Sequence, residues 1–328
     1  MLSTAERTDF MEQPKLFLVI PCYNEEETLD YTNTKLLDKL SGLIQQHMVS
    51  DDSKIVYVND GSKDGTLDIA KRFSEIDKHV AVVNLSRNRG HQNALLGGLM
   101  CVKDLCDVTI SLDADLQDDI NCIDGMLKEY KNGSEIVYGV RNDRASDTFF
   151  KKATAEGFYK LLAAFGVETV FNHADYRLMS AKALNALAEY KETNLYLRGI
   201  IPQLGFKTSE VYYARHERVF GTSKYNIKKM LALALNGITS FSVKPLSIAA
   251  VLFILFFIAA AASGICSAVF RNIYLCLISI MLFCTSAVMA VAAVISIYIG
   301  KIMLEIKHRP RYIIENTYGL ENDYVQND

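Results

Sequence analysis

Four aspartates, Asp113, Asp115, Asp118 and Asp119, crowd into the stretch SLDADLQDD, directly after the apolar run DVTI. A strand that ends in gathered carboxylates calls for a cation. Alternate residues of an extended segment point the same way, so Asp113, Asp115 and Gln117 are expected to converge on one ion. Their hard oxygen donors suit Mg²⁺ or Mn²⁺ rather than zinc, and the stretch contains no His or Cys. A hard ion held by so few protein ligands completes its shell with substrate phosphates. The plain alternative is a solvated acidic turn that caps the next helix. Asp118 and Asp119 are given that task, since carboxylates suit a helix N-terminus.

A second polar tail, VNDGSKDGT, places Asp60 at a strand end, followed by a Gly-rich turn into a helix capped by Asp64. It has neither the G-x-x-x-x-G-K of a P-loop nor the G-x-G-x-x-G of a dinucleotide site. Asp60 could accept hydrogen bonds from a base or ribose, although D-G-S is also ordinary turn chemistry.

The elements that must position these groups alternate. LFLVIP precedes a helix around Glu27 to His47, and KIVYVND precedes one from Gly65. VAVVNLS precedes a helix near Gln92 to Lys103, DVTISLD one near Ile120 to Tyr130, and EIVYGV follows. That order predicts an α/β fold with a doubly wound, mostly parallel sheet. Such sheets bind ligands outside the carboxyl ends of their strands. CYNEEE, NDGSKDGT, SRNRGHQN, DADLQDD and RNDR each follow a strand, and five tails on one edge make a site. From Lys151 the pattern is helical (KKATAEGFYKLLAAFG), then come an extended ADYRLMS, a helix AKALNALAEY, and a strand and basic loop in FKTSEVYYARHERVFGTSKY.

The chain has 328 residues, a net charge of -3 and a pI near 6.1, which argues against a nucleic-acid partner. No charged residue occurs in residues 245–270 or 272–300, and Arg271 alone separates the two runs. Each exceeds the roughly 20 apolar residues that cross a bilayer as a helix, so a two-helix transmembrane hairpin is expected. Lys224, Lys228, Lys229 and Lys244 precede it, and Lys301, Lys307, Arg309 and Arg311 follow it. This bias puts both termini, and the domain between them, on the cytoplasmic side of a multi-pass inner-membrane protein. The first residues lack the apolar core of a signal peptide, and the seven cysteines show no metal-ligand spacing and read as free thiols. The expected organisation is a polar arm (1–14), a cytoplasmic catalytic domain (15–224), a juxtamembrane amphipathic helix (225–243), two spans (245–270 and 272–300) and a cytoplasmic tail (301–328), polar and loose after Tyr312.

Taken in order, IPCYNEEE, VNDGSKDGT, NRGHQNALLGGL and LDADLQDD resemble the family 2 glycosyltransferases with their A-type nucleotide-sugar fold. GVRNDR, ADYRLMS, RHERVFGTSKY and the paired spans narrow the resemblance to the polyprenyl-phosphate glycosyltransferases, relatives of dolichyl-phosphate mannose synthase and bactoprenol glucosyltransferases. It covers nearly the whole chain, from Lys15 to about Arg311. The resemblance implies that Pro21, Tyr23, Glu25 and Asp60, with Asp113, hold the nucleotide, and that Asp113, Asp115 and Gln117 hold Mg²⁺ or Mn²⁺ and the diphosphate. It implies that Arg141, Arg144, Arg218, Ser223 and Lys224 face the acceptor phosphate, and that Asp175 is the catalytic carboxylate beside Asp115. Two positions depart from the family's habit: Asp119 stands where proline is common, and Asn59-Asp60 replaces the commoner double aspartate.

The implied reaction moves a sugar, UDP-glucose being the expected donor, to a polyprenyl phosphate such as undecaprenyl phosphate. The product would serve cell-envelope glycosylation. One carboxylate at the point of attack favours a single inverting displacement. An acceptor phosphate is mostly dianionic above its second pKa of about 6, so Asp175 is expected to position as much as to take a proton. A processive polysaccharide synthase would carry Q-x-x-R-W, and this chain has no tryptophan. A non-catalytic scaffold would have lost the metal carboxylates, and a flippase would need many spans. Hairpins of this kind often pack against copies of themselves, which leaves a homo-oligomer open.

Overall fold

A computed structural model describes residues 13–142, 173–192, 196–214 and 273–320, together with Ile254 and Ile258. The alternating apolar runs form β1 (Leu16–Cys22), α1 (Leu29–Gln45), β2 (Lys54–Asn59), α2 (Thr66–Ile76), β3 (Val80–Leu85), α3 (His91–Val102), β4 (Val108–Ser111), α4 (Cys122–Lys131) and β5 (Ile136–Arg141). Then come β6 (His173–Ser180), α5 (Ala181–Ala188), α6 (Leu197–Gln203), β7 (Thr208–Tyr213), α7 (Ile273–Ile306) and β8 (Ile314–Tyr318). The sheet order is β7-β5-β6-β4-β1-β2-β3-β8. Strands β3, β2, β1 and β4 are parallel neighbours; β6 runs antiparallel between β4 and β5, and β7 pairs parallel with β5.

Both sheet faces are covered, so β1 to β4 read as nearly unbroken apolar runs. On one side Leu16, Leu18 and Ile20 pack with Leu36, Leu40 and Leu43 of α1 and Met126 of α4. On the other, Phe17 and Val19 pack with Leu95, Leu96 and Leu99 of α3 and with Leu184 of α5. Helix α3 lies so close that a Cβ at Gly98 would come within 2.4 Å of Val58 Cγ2.

The expected helices and strands are all present within the described residues, with ends shifted by a few positions. Three features differ. Helix α6 is additional; it is short, and Pro202 lies inside it, which hides it from a periodicity search. The second apolar run continues as one 34-residue helix to Ile306, past the expected end at residue 300. Its stretch Phe283–Ile306 is the one described helix long and apolar enough to cross a membrane. Third, residues 313–320 of the expected loose tail are ordered: β8 pairs antiparallel with β3 at the sheet edge, Leu320 is buried, and the Tyr312 ring packs against Gly97. The edge backbone of β3 recruits the polar tail through main-chain hydrogen bonds that hydropathy cannot reveal. Residues 151–166, the juxtamembrane helix and most of the first apolar run lie outside the described residues; Ile254 and Ile258 are helical and exposed.

One glycine fixes how two site loops meet. Gly61 has φ 61°, and a Cβ there would fall 2.5 Å from the backbone of Arg87 and Asn88. Gly61→Ala should therefore force the turn after β2 away from the loop after β3, at a cost of about 2 kcal/mol, measurable by thermal unfolding.

Candidate active site

The carboxyl ends of β1 to β5 and the start of antiparallel β6 share one edge, and the polar tails gather there. The first two are stitched together. Asn24 N donates to Ser62 Oγ (3.1 Å) and Lys63 N to Asn24 Oδ1 (2.9 Å). Glu25 N donates to Thr66 Oγ1 (2.9 Å), and Gly65 N donates to Glu26 Oε2 (2.7 Å). The Glu25 carboxylate also accepts from Thr28 Oγ1. Pro21 lies at the end of β1 beside Val58, and Tyr23 just beyond it is 41 % exposed. Asp60 is buried, and its two oxygens accept the backbone N–H groups of Arg89 (2.6 Å) and Gly90 (2.8 Å). Burial raises its pKa and these bonds offset part of the rise. Asp60 therefore ties the loop after β3 to the loop after β2, a task its sequence position did not disclose.

The DADLQDD segment is not extended. Strand β4 ends at Ser111, Ala114 and Asp115 form a turn, and Leu116 has φ 46°. The expected alternation of Asp113, Asp115 and Gln117 thus fails as a geometric rule, because the turn at Ala114–Asp115 and the positive φ of Leu116 break the two-residue period. The turn keeps them at the same edge: Asp115 Oδ1 accepts Gln117 N (3.2 Å), and Thr32 Oγ1 of α1 holds the Ala114 carbonyl (2.6 Å). Gln117 is buried.

Asp119 does not cap α4, whose N-cap is Asn121 with no side-chain cap bond; its carboxylate instead accepts Asn121 N at 2.9 Å within the turn before the helix. Asp118 does not cap it either. It is buried and accepts from Tyr213 Oη (2.6 Å) and from Arg141 Nη2 (3.0 Å), joining the loop after β4 to β5 and β7. Arg141, expected to face the acceptor phosphate, has its guanidinium on Asp118. A buried carboxylate requires such partners.

Asp175, at the start of β6, is the most heavily engaged carboxylate of the edge. Arg198 grips it with Nη2 on Oδ2 (2.9 Å) and Nε on Oδ1 (3.1 Å), and Arg177 Nη2 reaches Oδ1 at 2.9 Å. His91 Nε2 lies 3.5 Å from both Asp175 Oδ2 and Asp113 Oδ1. Burial alone would raise the Asp175 pKa. The His91 hydrogen bond and the charges of Arg198 and Arg177 outweigh it and hold the carboxylate well below the usual range. Arg177 is 2 % exposed, a charge kept inside by this pairing. Gln92 Oε1 accepts Leu197 N (3.0 Å), so the start of α3 fixes the helix that carries Arg198.

His91 and Arg177 lie within NRGHQNALLGGL and ADYRLMS, motifs that by themselves assign them no role, and Arg198 lies in none of the motifs. For His91 the signal was its place at the first turn of a helix leaving the active edge. Arg198 left none, because no local pattern marks a residue whose partner lies 23 positions away.

His91 loses some basicity to burial, but Asp175 and Asp113 more than restore it, so its pKa is raised above 6.5. Stabilisation by the protonated ring is complete below the unfolded pKa and is lost as pH rises through the higher folded value. In metal-free buffer, His91→Asn should lower the melting temperature more at pH 6 than at pH 9.

Asp113 retains 40 % side-chain exposure to the cleft, yet the surrounding protein hinders its hydration. This raises its pKa; His91 counteracts the rise, and Asp175, Asp118 and Asp115 add to it. Such an excess of negative charge is what a divalent cation relieves. Among the described residues no three His, Cys, Asp or Glu side chains gather into a metal shell. Two carboxylates and Gln117 fit an ion of the Mg²⁺ type that leaves positions for phosphates. Arg144, Arg218, Ser223 and Lys224 lie outside the described residues.

A doubly wound sheet with acidic and Gly-rich loops along its carboxyl edge is a frame that binds ligands at that edge, and the chain belongs to glycosyl transferase family 2, whose model matches residues 17–188. It is a glycosyltransferase. It is 45% identical over 310 residues to the uncharacterized glycosyltransferase YkoT of Bacillus subtilis (strain 168), with 92% of each chain covered. It is 36% identical over 328 residues to YkcC of the same organism, covering 95% of this chain and 96% of the relative. It is also 36% identical over 312 residues to the bactoprenol glucosyl transferase of Shigella phage SfV, covering 92% and 98%.

Proposed function

We propose that this enzyme moves a sugar, glucose from UDP-glucose, to a polyprenyl phosphate at the cytoplasmic face of a membrane, with both apolar runs crossing the bilayer as a hairpin. The carrying observation is the full-length likeness to bactoprenol glucosyl transferases, which extends well past the family 2 domain into the apolar C-terminal part. The stitched loops after β1 and β2 support a donor nucleotide site at Pro21, Tyr23, Glu25 and Asp60.

An oxygen of the acceptor phosphate forms the bond to the anomeric carbon. The bond from that carbon to the diphosphate breaks, and its electron pair leaves with the nucleoside diphosphate. The attacking dianion carries no proton to remove above its second pKa of about 6. The depressed pKa of Asp175 and its three basic neighbours support a positioning role: the carboxylate orients Arg198 and His91 toward the reacting groups. Asp113, Asp115 and Gln117 would hold Mg²⁺ or Mn²⁺, which when bound neutralises charge on the departing diphosphate. Arg144, Arg218, Ser223 and Lys224 are proposed on the acceptor side, together with Arg141, whose guanidinium is held by Asp118.

Membranes containing the protein, incubated with undecaprenyl phosphate and a panel of labelled UDP- and GDP-sugars, test this reading. Label from UDP-glucose should enter the butanol phase only when the lipid phosphate is present. Label entering that phase from a different sugar nucleotide would overturn the donor assignment, and label entering none would overturn the reaction.

A further inference from the structure

The tail strand β8 reaches the donor loops through a chain of side-chain amides. Asn84 Nδ2, on β3, donates to Glu315 Oε2 at 2.9 Å. Asn59 Nδ2, at the end of β2, donates to Asn84 Oδ1 at 2.8 Å. Ser62 N, in the D-G-S turn, donates to Asn59 Oδ1 at 3.3 Å. The Ser62 hydroxyl then accepts Asn24 N of the first loop at 3.1 Å. Asn59 and Asn84 are both buried, at 2 % and 5 % exposure.

The direction of this chain is fixed at both ends. A carboxylate only accepts and a backbone N–H only donates, so each amide between them has one workable orientation. The β3–β8 register shifts at Asn84 and Leu85, pairing Asn84 with Asn316 and Leu85 with Ile314. Glu315 is the extra residue of that bulge, and bulges re-aim a side chain. β8 itself is anchored by Ser86 N on Ile313 O and by Arg311 Nη2 on Tyr190 O.

We propose that Glu315 is a positioning residue for the donor site: through Asn84 and Asn59 it sets the D-G-S turn, so the strand that follows the membrane helix completes the nucleotide-binding loops. The same chain accounts for Asn59 where double aspartate is commoner. An aspartate there would force the Asn84 amide to turn, and its oxygen would then face the Glu315 carboxylate. The functional half of this proposal rests on the donor reading given above; the structural half does not.

Four variants of the full-length protein in detergent test it: Glu315→Ala, Glu315→Gln, Asn59→Asp, and Asn59→Asp with Glu315→Gln. Two readouts apply, hydrogen exchange of the Ser62 amide and titration with UDP in the presence of Mn²⁺. Glu315→Ala should raise both the exchange rate and the UDP dissociation constant about fivefold, the size expected of one half-exposed, charge-assisted hydrogen bond. Glu315→Gln, still an acceptor, should stay within about twofold of the parent. Asn59→Asp alone should resemble Glu315→Ala. The double variant should recover, because glutamine can donate to the turned Asn84 amide and let the chain run in reverse. Turnover at saturating donor should change by less than about twofold in Glu315→Ala, which separates positioning from general destabilisation. Unchanged Ser62 exchange in Glu315→Ala, or no recovery in the double variant, would overturn the proposal. Exchange that responds as described, in a protein whose parent form does not bind UDP, would leave the relay standing and remove the donor-site reading.

Discussion

Replacing Asp115 by alanine should lower transfer by on the order of 10³-fold while the domain stays folded. The side chain lies in a turn beyond β4 and leaves the apolar residues Val108 and Ile110 untouched. Among its bonds is the acceptance of Gln117 N. Asp115→Asn can retain that bond and loses only the charge, so it separates the two effects. The asparagine form should be nearly as inactive as the alanine form, and both should fail to bind Mn²⁺ when followed by electron paramagnetic resonance. A melting temperature within a few degrees of the parent is expected for each. Full activity in excess EDTA would contradict the metal assignment.

Asp175→Asn should cost both activity and stability. Arg177 is almost wholly buried, and removal of its charged partner leaves an uncompensated interior cation, a change worth about 3 to 5 kcal/mol in comparable pairs. The pH dependence carries the mechanism. The folded pKa of Asp175 is depressed, so its stabilisation is fully present above the unfolded value near 4 and is lost as pH falls through the lower folded value. The stability gap between parent and Asp175→Asn should therefore be widest between about pH 5 and 6.5, narrow at higher pH as His91 loses the proton that Asp175 stabilises, and close in strong acid. An essential base would make the variant inactive at every pH. A positioning carboxylate predicts a residual rate, reduced on the order of 10²-fold or more, that rises between about pH 6 and 7 as the acceptor phosphate ionises. A variant as active as the parent would remove Asp175 from the site.

Much of this frame was legible because buried parallel strands announce themselves as short, uninterrupted apolar runs. β1 to β5 and their helices could be placed from LFLVIP, KIVYVN, VAVVNL, DVTIS and EIVYGV, and the polar tails then fell on one edge. What stayed hidden depends on distant partners. Asp118 looks like a helix cap until Arg141 and Tyr213 are brought to it by β5 and β7. Arg198 gains meaning only when Gln92 fixes α6 across from β6. The tail strand has too few apolar residues to be read as a strand, since IENTY joins the sheet through its backbone and an edge bulge. Asn59 was visible as a departure from the commoner double aspartate, but the amide chain it joins ends 256 positions away, at Glu315.

The most direct test of the central assignment is acceptor dependence in a purified system. Full-length protein in detergent, given UDP-[¹⁴C]glucose and Mn²⁺, is offered undecaprenyl phosphate or undecaprenol in parallel. The account predicts labelled lipid with undecaprenyl phosphate alone, one UDP released for each glucose incorporated, and a product mass equal to the lipid phosphate plus one hexose. Equal labelling of undecaprenol, or UDP release with the label left in water-soluble material, would contradict it.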